Sequence, residues 1–215
     1  MRFEVYENRA LLRYWKPILV VLFTGLSCAG QDFHKWTFEG GAGPTGPVGS
    51  AKDRWNTGWN IMFGGGYNFT PHVSGLLEFQ YDHFSLSNSA LQTLNQPDGF
   101  IRFWSLSLSP RYDFNPKGRF DVYATGGYGL YARYLAFTDP SQIQQICDPY
   151  YGYCDSSGAP VIASFTNYRG GVNLGGGVSY ALGSSGLKVF TDVRYNRFLS
   201  HTSNEFITFT LGIKY

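Results

Sequence analysis

Beyond residue 35, apolar and polar residues alternate along most of the chain. A period of two marks a strand with one apolar face, not a helix. The C-terminal ITFTLGIKY is the plainest case. Ile207, Phe209, Leu211, Ile213 and Tyr215 share one face, opposite Thr208, Thr210, Gly212 and Lys214. Seven further segments repeat the pattern. KWTFEGG sets Trp36 and Phe38 against Thr37 and Glu39. GWNIMFGGGYNF sets Trp59, Ile61, Phe63 and Tyr67 against Asn60, Met62 and Asn68. GLLEFQYDHF sets Leu77, Phe79 and Tyr81 against Glu78, Gln80 and Asp82. RFWSLSLSPRYDF sets Trp104, Leu106, Leu108 and Tyr112 against Ser105, Ser107, Ser109, Arg111 and Asp113. RFDVYATGGYGLY, NYRGGVNLGGGVSYA and LKVFTDVRYNRF behave alike, with Thr125, Asn173, Asp192 and Arg194 on polar faces and Phe190 an exception among them.

Each segment is about 10 residues or longer, enough to cross a bilayer at a tilt. The connections alternate. Short turns fall at NFTPH, NPKGR and LGSSG, and long segments at 43–57, 85–99 and 136–166, with a shorter one at 200–204. That is an antiparallel meander with unlike ends. Alternation alone does not say which face is wet, because a soluble barrel turns its apolar face inward and a membrane barrel turns it outward. The apolar faces carry Trp, Tyr and Phe near strand ends, and their charges, Arg102, Arg197 and His83, also lie near ends. A cation facing mid-bilayer would cost about 2–4 kcal/mol. The polar faces are rich in Ser and Gly, which suits a narrow lumen. The reading is an all-β, eight-stranded antiparallel up-and-down transmembrane β-barrel.

The N-terminus adds a compartment. Arg2, Arg9, Arg13 and Lys16 outnumber Glu4 and Glu7 before an apolar run at 18–23, and small residues follow at Ser27, Ala29 and Gly30. This is the order of a secretory signal. The run is far shorter than the ~20 residues of a spanning helix. Residues 1–30 are read as the signal peptide and 31–215 as the barrel, with cleavage after Ala29 or Gly30. A lipoprotein reading through Cys28 is the alternative, although Gly25 stands where an aliphatic residue is expected. The charged leader is long, which leaves a later translation start open.

Composition removes several classes. Charged residues make up 15% and aromatics 18%, with a net charge of +2. The chain is too aromatic for disorder and has no basic cluster for nucleic acid. GGAGPTG and GGGYN lack the helix N-terminus and Lys-Ser/Thr pair of a phosphate loop. No cofactor or metal is expected.

Four candidate sites remain. Glu39, Glu78, Asp192 and Arg194 fall at similar heights on lumen faces, and a salt-bridged plug centred on Arg194 with Glu39 and Glu78 is expected. It acts as a folding element or as the gate of a narrow pore. Cys147 and Cys154 in CDPYYGYC predict a disulfide in an exported protein. Tyr150, Tyr151 and Tyr153 between them suit recognition, while Asp139, Asp148 and Asp155 match no calcium-loop spacing. His83 and Ser85 share a face, as a membrane-edge hydrolase requires, but Asp82 points the other way and cannot orient the His.

FTLGIKY resembles the terminal strand by which the outer-membrane assembly machinery recognises barrel substrates, with Phe209, Leu211, Ile213 and Tyr215 as the signal and Tyr215 in place of the commoner Phe. GGGYNFTPHVSGLLEFQY, RYDFNPKGRFDVYATGGYGLY and GGVNLGGGVSYALGSSGLKVFTDVRY resemble the turn-centred repeats of small OmpA-like outer-membrane barrels. The resemblance spans nearly all of residues 31–215, without the peptidoglycan-binding domain that many such proteins carry. It implies outer-membrane lipids, lipopolysaccharide and the assembly machinery as partners, with no nucleic acid. It also implies both termini in the periplasm, a structural or surface-presenting role, no catalysis, and a monomer. A narrow solute channel and a lipid A hydrolase are the alternatives.

Overall fold

A computed structural model describes residues 35–142, 145–147, 154–156, 159–183, 186–199 and 204–215. The signal reading at 1–30 lies outside the described residues.

Eight long strands close an antiparallel barrel: β1 (Trp36–Val48), β2 (Gly58–Asn68), β3 (Val73–Ser85), β4 (Asp98–Asp113), β5 (Phe120–Thr138), β8 (Val161–Ala181), β9 (Lys188–Phe198) and β10 (Asn204–Lys214). Two short strands, β6 (Gln145–Cys147) and β7 (Cys154–Ser156), pair between β5 and β8. Helix α1 (Asn88–Leu94) lies in the β3–β4 connection, capped by the Ser87 hydroxyl, which accepts from Ala90 N at 3.3 Å. The seam closes β1 against β10, where Phe38 N donates to Tyr215 O and Tyr215 N to Phe38 O. Both barrel termini therefore lie at the end that carries the short turns.

The faces alternate as the period predicts. Phe38, Phe63, Leu77, Leu108, Leu130, Leu174, Leu211 and Ile213 are exposed on the outside. Thr37, Glu39, Asn60, Glu78, Ser105, Ser107, Arg111, Thr125, Asp192 and Arg194 are buried inside. Two aromatic belts bound the apolar band. Near the short turns, Trp36 meets Tyr67, Tyr67 meets Phe69, and Tyr112 meets Phe114, at centroid distances of 5.1–5.5 Å. Near the long connections, Tyr81 sits between Trp59 at 5.2 Å and Trp104 at 4.7 Å. Amphipathic rings at both rims are what two membrane interfaces select.

Several strands run further than their sequences announce. β1 does not end at Gly43 but continues to Val48 through Pro44 and Pro47, held by β2 up to Thr45 and by β10 up to Val48. Proline has no N–H to give a ladder. The β1–β10 ladder accordingly skips from Ala42 to Thr45. The Asn60 side chain fills the gap from inside: its Nδ2 donates to Gly43 O and Pro44 O, both at 3.0 Å, and to Phe209 O at 3.2 Å. Its Oδ1 accepts from Thr210 Oγ1 at 2.9 Å.

The expected loop at 136–166 also shrinks, since β5 reaches Thr138 and β8 starts at Val161. The β8 ladder to β9 starts only at Gly171–Phe198, whereas its ladder to β5 extends to Thr138–Val161. Residues 161–170 thus rise past the top of β9 with β5 as their neighbour. Within the segment expected as loop at 85–99, the helix α1 forms and β4 begins at Asp98.

Candidate functional site

The inward-facing side chains form two tiers. The lower tier is ionic. Arg194 on β9 makes a two-pronged pair with Glu78 on β3, Nη1 to Oε2 at 2.6 Å and Nη2 to Oε1 at 2.7 Å. Its Nε donates to Asp192 Oδ1 at 2.6 Å, and its Nη2 to Asp192 Oδ2 at 3.3 Å. The Tyr123 hydroxyl donates to the same Asp192 Oδ2 at 3.0 Å. Glu39 does not take part in this cluster as a direct partner of Arg194. It pairs with Arg111 on β4, Nη1 to Oε2 at 2.7 Å and Nη2 to Oε1 at 2.8 Å. The expected four residues are thus split over two clusters, and Arg111 is the member that sequence reading left out. Tilted strands bring residues of unequal count from the rim to one depth, so counting along each strand misassigned the partner. The Arg111 guanidinium also lies 4.4 Å from the Tyr123 ring centroid, and Lys214 Nζ lies 4.7 Å from the same ring.

Large lumen groups need space, and glycines provide it. A Cβ on Gly64 would stand 3.0 Å from Glu39 Cγ and 3.3 Å from Glu78 Cγ. One on Gly175 would stand 2.7 Å from Arg194 Cγ and closer still to Val193 O. The GGG runs of β2 and β8 therefore do more than curve the wall. Gly64 and Gly175 face the ion pairs and leave room for them.

The upper tier is apolar. Phe84, Ile101, Phe103, Tyr131, Phe198 and Phe206 point inward above the charges and form one buried cluster with Ala51, Trp55, Leu86, Leu91 and Phe137 from the connections and the upper β5 strand. Phe103 lies 5.2 Å from Phe206 and 6.0 Å from Phe198, and Trp55 lies 5.3 Å from both Phe84 and Phe103. Tyr131 ties the tiers together by donating to Asn196 Oδ1 at 3.2 Å. Phe190, the sequence exception, is likewise buried inside, so its position on the polar face is correct for its strand.

The other candidates separate. His83 faces outward against Trp59 and Phe100, and the residue directly across from it is Arg102. Asp82 is buried on the inner face. No carboxylate among the described residues orients His83 for Ser85. Cys147 and Cys154 stand opposite each other in the β6–β7 register. Their side chains lie outside the described residues, as do Tyr150, Tyr151, Tyr153 and Asp148. Asp139 turns into its own chain. It accepts from Ser141 N at 3.0 Å, Ser141 Oγ at 2.6 Å and Gln142 Nε2 at 2.8 Å. The Ser141 contacts hold its carboxyl below the usual range. Phe209, Leu211, Ile213 and Tyr215 all lie exposed on the outer face of β10.

Comparison with known proteins agrees with this architecture. Residues 18–215 match the outer membrane protein beta-barrel domain family. The barrel resembles Neisserial surface protein A (14% identity, TM-score 0.55, 84% of this chain and 96% of the other). It also resembles a major outer membrane protein from Thermus thermophilus (13% identity, TM-score 0.54, 84% of this chain and 98% of the other). No curated protein matches the sequence. With a closed barrel, two aromatic belts and a family match over most of its length, the chain belongs to the outer membrane protein beta-barrel domain family.

Proposed function

We propose that this protein is a closed outer-membrane barrel that carries surface loops on a rigid wall and does not conduct. The observation that carries the reading is the stacking of two kinds of buried cluster inside the barrel. Two buried ion-pair clusters lie below, and an aromatic cluster packed against Trp55 and Leu91 lies above. Either tier alone would obstruct a barrel whose interior is only wide enough for side chains. The short turns and both strand ends then face the periplasm, and the long connections face outward. The β6–β7 register supports a Cys147–Cys154 disulfide that fixes the exposed hairpin. The outward Phe209, Leu211, Ile213 and Tyr215 supply the strand read by the assembly machinery.

A narrow channel is the competing reading, and planar-bilayer recording separates the two. Wild type is expected to show no discrete conductance. Arg194→Ala is also expected to stay silent, because the aromatic tier remains. Steps of regular size from wild-type protein would overturn the proposal. A catalytic role is not favoured, since the group opposite His83 is a cation. Loss of thiol protection on reduction, read by alkylation and mass, tests the disulfide.

A further inference from the structure

We propose that His83 and Arg102 form a binding site for the phosphate of an anionic membrane lipid, on the lipid-facing wall at the long-loop rim. The inference rests on the membrane reading above, because the aromatic belt locates the headgroup layer.

The site lies one pleat step beyond that belt. On β3, His83 follows Tyr81 on the outer face, and on β4, Arg102 precedes Trp104. His83 and Arg102 stand directly across from each other. Arg102 therefore opposes a positive charge on His83. The surroundings do not relieve that. Trp59 lies 5.8 Å from the His83 ring and Phe100 lies 5.7 Å from it. Phe100 also carries the Arg102 guanidinium 4.2 Å above its centroid and meets Tyr134 at 6.0 Å. The aromatic rings hold both side chains in place and offer them no counter-ion.

Among the described residues, Arg102 has no ion pair, and Arg102 Nε and His83 Nδ1 are both buried without a hydrogen-bond partner. Arg197 is the contrast. It lies on the same face near the top of β9, exposed, with Glu205 at 3.6 Å. One outer cation has its counter-ion within the chain, and the other, a guanidinium donor held against Phe100, has none among the described residues. A membrane-facing wall offers such donors few anions. The headgroup phosphate is the one present at this depth, and a guanidinium fork matches its oxygens. Aromatic side chains around the site suit the adjoining glycerol or sugar and upper acyl chains.

The test uses the mature protein, folded in detergent and checked by heat-modifiable gel migration. Native mass spectrometry then follows its titration with lipid A and with dephosphorylated lipid A. Wild type is expected to bind the phosphorylated form about tenfold more tightly, the worth of one charge-assisted contact. Arg102→Gln is expected to lose that preference, His83→Gln to weaken it, and Arg197→Gln to keep it. A folded Arg102→Gln protein that retains the preference would overturn the site. So would displacement of lipid A by millimolar inorganic phosphate, which would indicate a site for free anion. Failure of wild type to migrate as a folded barrel would instead count against the membrane reading itself.

Discussion

Replacing Arg194 by Met keeps the apolar stem and removes the charge at the centre of the larger lumen cluster. Four nitrogen-to-oxygen contacts of 2.6–3.3 Å disappear with it. Asp192 keeps the Tyr123 hydroxyl, and Glu78 loses its guanidinium. Both carboxylates are buried, at 1% and 2% exposure. Removing one member of a buried pair leaves an uncompensated charge, which costs about 3–5 kcal/mol. Glu78→Met alone should cost somewhat less, because Arg194 retains Asp192. The double variant removes the orphaned Glu78 charge, so its cost should fall short of the sum by about 2 kcal/mol. Urea unfolding in phosphatidylcholine vesicles, followed by tryptophan emission and gel migration, measures all three. If Arg194→Met lies within about 1 kcal/mol of wild type, or if the two single costs add, the ion pairs do not hold the lumen together.

Three further outcomes follow from the described geometry. Gly175→Ala should destabilise the barrel by more than about 1 kcal/mol, because its Cβ meets Arg194 and a backbone oxygen, whereas Gly46→Ala, with nothing within 4 Å, should be near neutral in the same unfolding assay. Asn60→Leu should cost about 1–3 kcal/mol, since carbonyls beside Pro44 lose their donor, and hydrogen exchange along Ala42–Thr45 should accelerate. Carbon-detected NMR of Asp139 should show a carboxyl that titrates below a free aspartate. With a lowered folded value, the turn gains from ionisation above the unfolded value and loses that gain as pH falls through the folded one, and Ser141→Ala should move the titration back up.

Alternation made the barrel readable from the chain alone. It put Glu39, Glu78, Asp192 and Arg194 on the lumen side, because strand parity is local. Partner choice is not local. Whether Glu39 meets Arg194 or Arg111 depends on tilt accumulated around the closed sheet, and no single segment encodes that. The strand ends misled for a different reason. Gly43, Pro44 and Pro47 read as turn residues, but the β2 and β10 ladders carry the strand through them, with the Asn60 side chain bonding the carbonyls of Gly43 and Pro44. The aromatic tier was missed because Phe84, Phe103, Phe198 and Phe206 share faces with polar residues. Their role appears once Trp55 and Leu91 fold over them.

The tall β5–β8 pair sets a question of reach. Residues 161–170, at about 3.3 Å each along the strand and tilted about 40°, lift the hairpin roughly 25 Å past the top of β9. A flexible connection of the same length would sample many heights and lie mostly along the surface. A ladder of hydrogen bonds holds one height. The hairpin bearing Cys147 and Cys154 is therefore carried on a mast, at a set distance above the end of β9.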